Sequence, residues 1–230
     1  MTPLFDYVQS FLANYGSLLV EGTQATLWMV LASTILAHLI GLPIGILVVV
    51  TDRGLLLPSK SLHTIMEGII NVGRSIPYII LMIALIPFTR LVVGTSLGVN
   101  ATIVSLVVAA IPFVARLTES ALKEITTGVI ESSLSMGASL NQIVFQVMVP
   151  EALPALIRDL SLTAITLVGY SAMAGAIGGG GLGDIAIRYG YHRYQVDVMF
   201  ATIILLILIV QGIQATGNTF AHKLDKKTRH

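Results

Sequence analysis

The chain has 230 residues, 55% hydrophobic and 11% charged, with a formal net charge of +1 and a mean hydropathy of +0.87. A soluble domain of this length cannot enclose so much apolar surface, so the bilayer is the expected solvent. The near-neutral charge gives no case for nucleic acid, and the lack of cysteine excludes disulfides, thiolate metal sites and thiol catalysis.

Residues 1–17 carry Asp6 and no Lys or Arg, unlike the positive start of a cleaved signal. Leu4, Phe5, Val8, Phe11, Leu12 and Tyr15 recur there at helical spacing. That pattern predicts a short amphipathic helix on the outer membrane surface, too short to cross. Five apolar runs follow, and a crossing needs about 20 residues. Span 1 covers 22–51. Span 2 covers 62–89 and reaches crossing length only by running through Arg74. Span 3 covers 91–115, its first residues a loop around Gly94 and Gly98. Span 4 covers 160–183 and ends in a glycine run, Gly178 to Gly181 and Gly183. Span 5 covers 198–221. The predicted fold is all-α and polytopic, with five transmembrane helices in a membrane domain over 18–222 and a basic cytoplasmic tail over 223–230. Basic residues orient it. With the N-terminus outside, nine of the 13 Lys and Arg fall inside, among them Arg53, Lys60, Arg116, Lys123 and Arg158. Arg90, Arg188 and Arg193 fall outside, and Arg74 is left unassigned.

This orientation puts residues 127–150 in the cytoplasm. They read as two short helices separated by a turn. Thr127 can cap the first and Gly137 can end it in a left-handed conformation. Ser139 and Gln142 form a capping box for the second, which Pro150 then limits. A helix–turn–helix between two membrane spans is a shape for something outside the membrane to hold.

The absences restrict the chemistry. No Gly-x-x-x-x-Gly-Lys-Ser/Thr is present, so the chain has no phosphate cradle of its own and cannot hydrolyse ATP alone by that route, and no cofactor is expected in this chain. Five scattered histidines, with only His38 inside a span, suggest no metal site. No carboxylate falls in mid-span apart from Glu67 near the start of span 2, which argues against proton- or sodium-coupled transport. Arg74 has two readings. In one, Glu67 partly balances it on the same helix face while it snorkels or caps a helix broken at Gly73–Pro77. In the other it faces a polar cavity and attracts a carboxylate. The pairs Gly41/Gly45 and Gly175/Gly179 allow close helix approach. Between the glycines of span 4, Tyr170, Ser171 and Met173 either line a closable path or simply pack.

The segment Glu131-Ser132-Ser133, three residues, Gly137, nine residues, then Val147-Met148-Val149-Pro150 resembles the cytoplasmic loop of bacterial ABC importer permeases. That loop reads Glu-Ala-Ala, three residues, Gly, nine residues, Ile-x-Leu-Pro. Glu131, Gly137 and Pro150 are identical, and the four departures are small-for-small or apolar-for-apolar. Gly73-Arg74-Ser75-Ile76-Pro77, the stretches 86–90 and 93–96, and 166–173 are similar in order and spacing to the methionine importer permeases. The resemblance covers nearly the whole chain. It implies a non-catalytic permease subunit of the bacterial inner membrane that works with a second copy of itself, two ATP-binding cassette subunits and an external substrate-binding lipoprotein. ATP would be bound by the partner subunit. Glu131, Ser132, Ser133, Gly137 and Pro150 would couple to the ATPase, and Tyr170, Ser171, Met173 and Arg74 would belong to the path or gate. Two alternatives stay open: the same machine for another small solute (another amino acid, a phosphonate or a sulfonate), and a stand-alone channel or carrier.

Overall fold

The computed structural model describes residues 3–52 and 56–224, and every regular element among them is helical. Arg53 and the tail residues beyond 224 lie outside the described residues. Helix α1 spans Pro3–Val50, α2 Lys60–Ser75, α3 Tyr78–Ala84, α4 Ile86–Val93 and α5 Val99–Lys123. Two short helices follow, α6 Thr127–Ser135 and α7 Leu140–Gln142. A π-helical turn, Ile143–Met148, then leads into α8, Val149–Gly175. After a break come α9, Gly181–Ile185, a second π turn, Ala186–Tyr191, and α10, Val196–Leu224.

Among the described residues four helices are long and apolar enough to cross a membrane, and α2 with α3, bent by 100° at their break, makes a fifth when counted as one. Their outward faces suit lipid. On α10, Phe200, Ile204 and Leu208 stand exposed at helical spacing, a face with no place in water.

Several boundaries differ from the sequence reading. The helix expected over 1–17 is not separate: α1 is continuous for 48 residues, about 72 Å at 1.5 Å per residue. Neither Gly16 nor Gly22 interrupts it, and after Pro3 at its first position no proline falls before Pro43. Within it, Phe5, Val8 and Leu12 are exposed, while Phe11 and Tyr15 pack beside buried Leu19, Ile185 and Val198. Span 2 is broken, not continuous. Pro77 has no amide to donate and disfavours helical conformation at Ile76, which is extended with ψ 122°.

Packing falls into two compact units. The first is Met1–Ser33, Tyr78–Leu106 and Thr166–Gly212; the second is Thr34–Pro77, Val107–Ile165 and Ile213–His230. In the first, the glycine run is tied down through its backbone. Gly98 N–H donates to the Gly178 carbonyl (2.9 Å), Thr102 Oγ1 to the Gly179 carbonyl (3.0 Å), and Leu182 N–H to Thr26 Oγ1 (2.9 Å). A Cβ on Gly175 would run into the backbone of Gly183 and Asp184, so these glycines serve close backbone approach.

In the second unit the core is Ile46, Val49, Leu122, Ile143 and Met148 with their neighbours. Gly41 and Gly45 seat α1 against α5. A Cβ at Gly45 would meet the Ala115 carbonyl oxygen and Thr118 Cβ, each at 2.6 Å. Gly45→Val is therefore expected to destabilise the chain by at least the roughly 1–3 kcal/mol typical of overpacking. A thermal melt in detergent would register the loss, and Gly16→Ala, with nothing within 4 Å, should melt as the parent does.

Candidate functional site

The segment from α6 to the first π turn lies in the second unit and has two distinct faces. Ile130, Ser133, Ile143, Val144 and Met148 are buried. Glu131, Ser132, Ser135, Gln142 and Gln146 are exposed, and with them stand three large apolar side chains, Leu134, Met136 (80% exposed) and Phe145. The inward face anchors the segment to the core through Ile143 and Met148. The outward face has an acid and three large apolar groups that the described residues leave uncovered. Of the expected coupling residues, Glu131, Ser132, Gly137 and Pro150 are exposed, but Ser133 is turned inward, its Oγ donating to the Val129 carbonyl at 2.8 Å.

The local chemistry explains the turn. Gly137 has φ +80°, the left-handed region where a Cβ is disfavoured. Ala138 N–H donates to the Ser133 carbonyl (3.1 Å) and Gly137 N–H to that of Leu134 (2.9 Å), the paired bonds that close a helix C-terminus with glycine. At the second start, Ser139 N–H donates to Gln142 Oε1 (2.8 Å), and the Ser139 hydroxyl donates to the same oxygen (2.9 Å). Two details correct the sequence reading. The N-cap of α6 is Thr126, with extended backbone, not Thr127, and its side chain makes no capping bond. Pro150 does not limit the second helix. The π turn hands the chain directly to α8, with Val149 N–H reaching back to the Val144 carbonyl. At the second residue of α8, a missing amide beside such a widened turn is tolerated.

The expected path residues divide as well. In the first unit the Tyr170 ring stacks on Tyr78, centroids 4.6 Å apart and planes 1° apart. Tyr78 follows Pro77 at the break of span 2, and its hydroxyl lies 3.2 Å from Ser105 Oγ. Met173, half-exposed, is three residues from Tyr170 and shares its face, together with exposed Gly169. Ser171 is turned away, buried, with Oγ donating to the Val168 carbonyl. At 100° per residue it cannot share that face with both. Arg74, in the second unit, is exposed in the last turn of α2, where the helix dipole favours a cation. Glu67 does not balance it, being engaged with Arg116 (3.4 Å) and His63 (3.5 Å).

Those contacts belong to a closed ring that sequence reasoning missed. Asp52 meets Lys123 (2.8 Å), Lys123 meets Glu119 (2.9 Å), Glu119 meets Arg116 (2.6 Å) and Arg116 meets Glu67. His63 faces Glu67 and Asp52 with Nε2, while its Nδ1 is 3.0 Å from the Val48 carbonyl. The spacing Arg116, Glu119, Lys123 places all three on one helix face and was the available signal.

Residues 41–230 match the family described as the binding-protein-dependent transport system inner membrane component. The chain belongs to that family. It is a multi-pass transport component of the bacterial inner membrane. This permease is 44% identical over 223 residues to the "Probable D-methionine transport system permease protein MetI" of Vibrio cholerae, covering 97% of this chain and 99% of that one. It is 50% identical over 205 residues to the protein of the same name from Pasteurella multocida, covering 89% and 94%. Among solved structures it is similar to a chain of the MetNI methionine ABC transporter in an inward-facing form, with TM-score 0.91 and 47% identity, covering 93% of the permease and 99% of that chain.

Proposed function

We propose that this chain is the membrane path of an ATP-driven importer of methionine, non-catalytic itself and driven by a separate ATP-binding subunit. The observation that carries the proposal is the two-faced segment 127–148. Its inward face is part of the core, so a force applied to its outward face passes into the helices. Ligand-driven change requires a partner that binds two states differently, and nucleotide-dependent closure of a pair of ATPases supplies that difference. Glu131 is the charged contact, Leu134, Met136 and Phe145 fill an apolar groove on the partner, and Gly137 sets the turn between the two short helices. Methionine as solute is supported by relatives that bear its name over nearly the whole length of this chain.

The working assembly is two copies of this chain, two ATPase subunits and an external binding lipoprotein, with the N-terminus outside and segment 127–150 in the cytoplasm. Tyr170 and Met173 line the path. The test is to tag the chain in its native cells, extract it in mild detergent and identify what co-purifies. A stoichiometric ATP-binding subunit, and labelled methionine uptake competed by unlabelled methionine, are expected. A chain that emerges alone and transports without ATP would overturn the reading in favour of a stand-alone carrier.

A further inference from the structure

The first unit contains a cavity of about 140 Å³ between α3, α4 and the start of α5. Its floor is Met82, Thr89, Ala101 and Ser105, all buried. Its mouth is formed by exposed Ile83, Ile86 and Leu97 and by half-buried Ser96. Apolar space of about 150 Å³ accommodates one benzene-sized molecule, so this cavity suits one small apolar side chain. Polar groups are few and placed to orient a guest. The Ser105 hydroxyl is already held, donating to the Thr102 carbonyl at 2.9 Å. At the mouth, the exposed guanidinium of Arg90 donates to Ser96 Oγ at 3.4 Å. A cation at the rim of an apolar slot is complementary to a molecule with a carboxylate at one end and a linear apolar group at the other. No carboxylate lines the cavity, so an ammonium group stays in the water at the mouth. Met82 makes one wall deformable, since a thioether side chain adapts its shape to a guest.

We propose that this cavity is a transit subsite in the permease that takes the side chain of a zwitterionic amino acid with an unbranched apolar chain of the thioether kind, its carboxylate on Arg90. The proposal rests on the transport reading given above. A shallow slot with one ionic contact is weak by construction, as a transit site must be for its occupant to leave.

The test uses the whole transporter, this chain with its ATPase in proteoliposomes and the binding protein supplied at saturation. Uptake of labelled methionine by the parent comes first, and its absence would refute the transport reading, not the subsite. Given parental uptake, Thr89→Leu and Ala101→Leu fill the cavity and are expected to lower methionine uptake by roughly tenfold, the lower range for one mismatched apolar group. ATP hydrolysis and the thermal midpoint should be maintained. Equal uptake by both variants overturns the proposal and is the result expected if the space is a void or holds a lipid chain. A third variant decides the matter even where the filled ones fail to fold. Thr89→Ser enlarges the cavity by a methyl group and should raise uptake of the S-ethyl homologue relative to methionine several-fold over the parental ratio. Comparing ratios cancels the preference of the binding protein, and an unchanged ratio overturns the proposal.

Discussion

Reversing the charge of Glu131 with lysine is expected to abolish ATP-driven uptake while leaving the permease folded in the membrane. Glu131 is exposed on α6 and makes no ion pair among the described residues, so no ion pair among them depends on its charge. Ile130 and Ser133, which seat the helix, point the other way. A contact that matters only to a partner can therefore be destroyed without touching the fold. Placing a like charge where a partner expects an acid costs several kcal/mol at a desolvated contact, and 2.8 kcal/mol is already about a hundredfold in affinity. The parent and Glu131→Lys should melt within a degree or so of each other, while uptake by the variant falls to background and the ATPase no longer co-purifies in stoichiometric amount. Met136→Asp, at the most exposed apolar position of the same segment, should act in the same direction. Normal uptake by Glu131→Lys would remove Glu131 from the coupling contact.

What could be read from the sequence was what depends on neighbours along the chain. The crossings followed from long uncharged runs, and the left-handed turn at Gly137 followed from a glycine placed just after a helical pattern. The small-residue pair Gly41/Gly45 was recognisable, and it does hold α1 against α5. Readings failed where the outcome depended on partners far off in sequence. Glu67 looked like the counter-charge of Arg74 because both lie on α2, yet it pairs with Arg116, 49 residues away. Pro150 looked like a stop because a proline usually ends a helix, and the π turn before it has no sequence signature. Ser133 was grouped with Glu131 and Ser132 by the loop motif, and Ser171 with Tyr170 and Met173 by adjacency. The helix rotates each onto a buried face, which only packing reveals. The exposed trio Leu134, Met136 and Phe145 shows the same limit: nothing in an apolar residue says whether its partner is in the same chain.

Removing both cations from the charged ring is expected to cost more stability than removing the acid at its centre. Glu119 is 3% exposed, whereas Arg116 and Lys123 are 36% and 41% exposed. The two cations each have a second carboxylate, Glu67 for Arg116 and Asp52 for Lys123. Glu119→Leu therefore leaves no charge stranded: both cations keep a partner and partial contact with water, and the site gains an apolar group of similar size. Replacing a buried ionic group in that way is often neutral. The double change Arg116→Met and Lys123→Met does the opposite, leaving a carboxylate buried with no counter-charge, and losses of about 3–5 kcal/mol follow when one side of a buried pair is removed. Because Asp52 closes the ring from the end of α1 and His63 and Glu67 from α2, the loss should loosen all three helices together and appear as a single lowered melting transition. Adding Glu119→Leu to the double variant should restore most of the stability, since the stranded charge is then gone. Thermal melts of the four proteins in one detergent decide the matter. If Glu119→Leu alone melts lower than the double variant, the ring owes its stability to attraction among its members, and the dehydration of Glu119 is not its controlling cost.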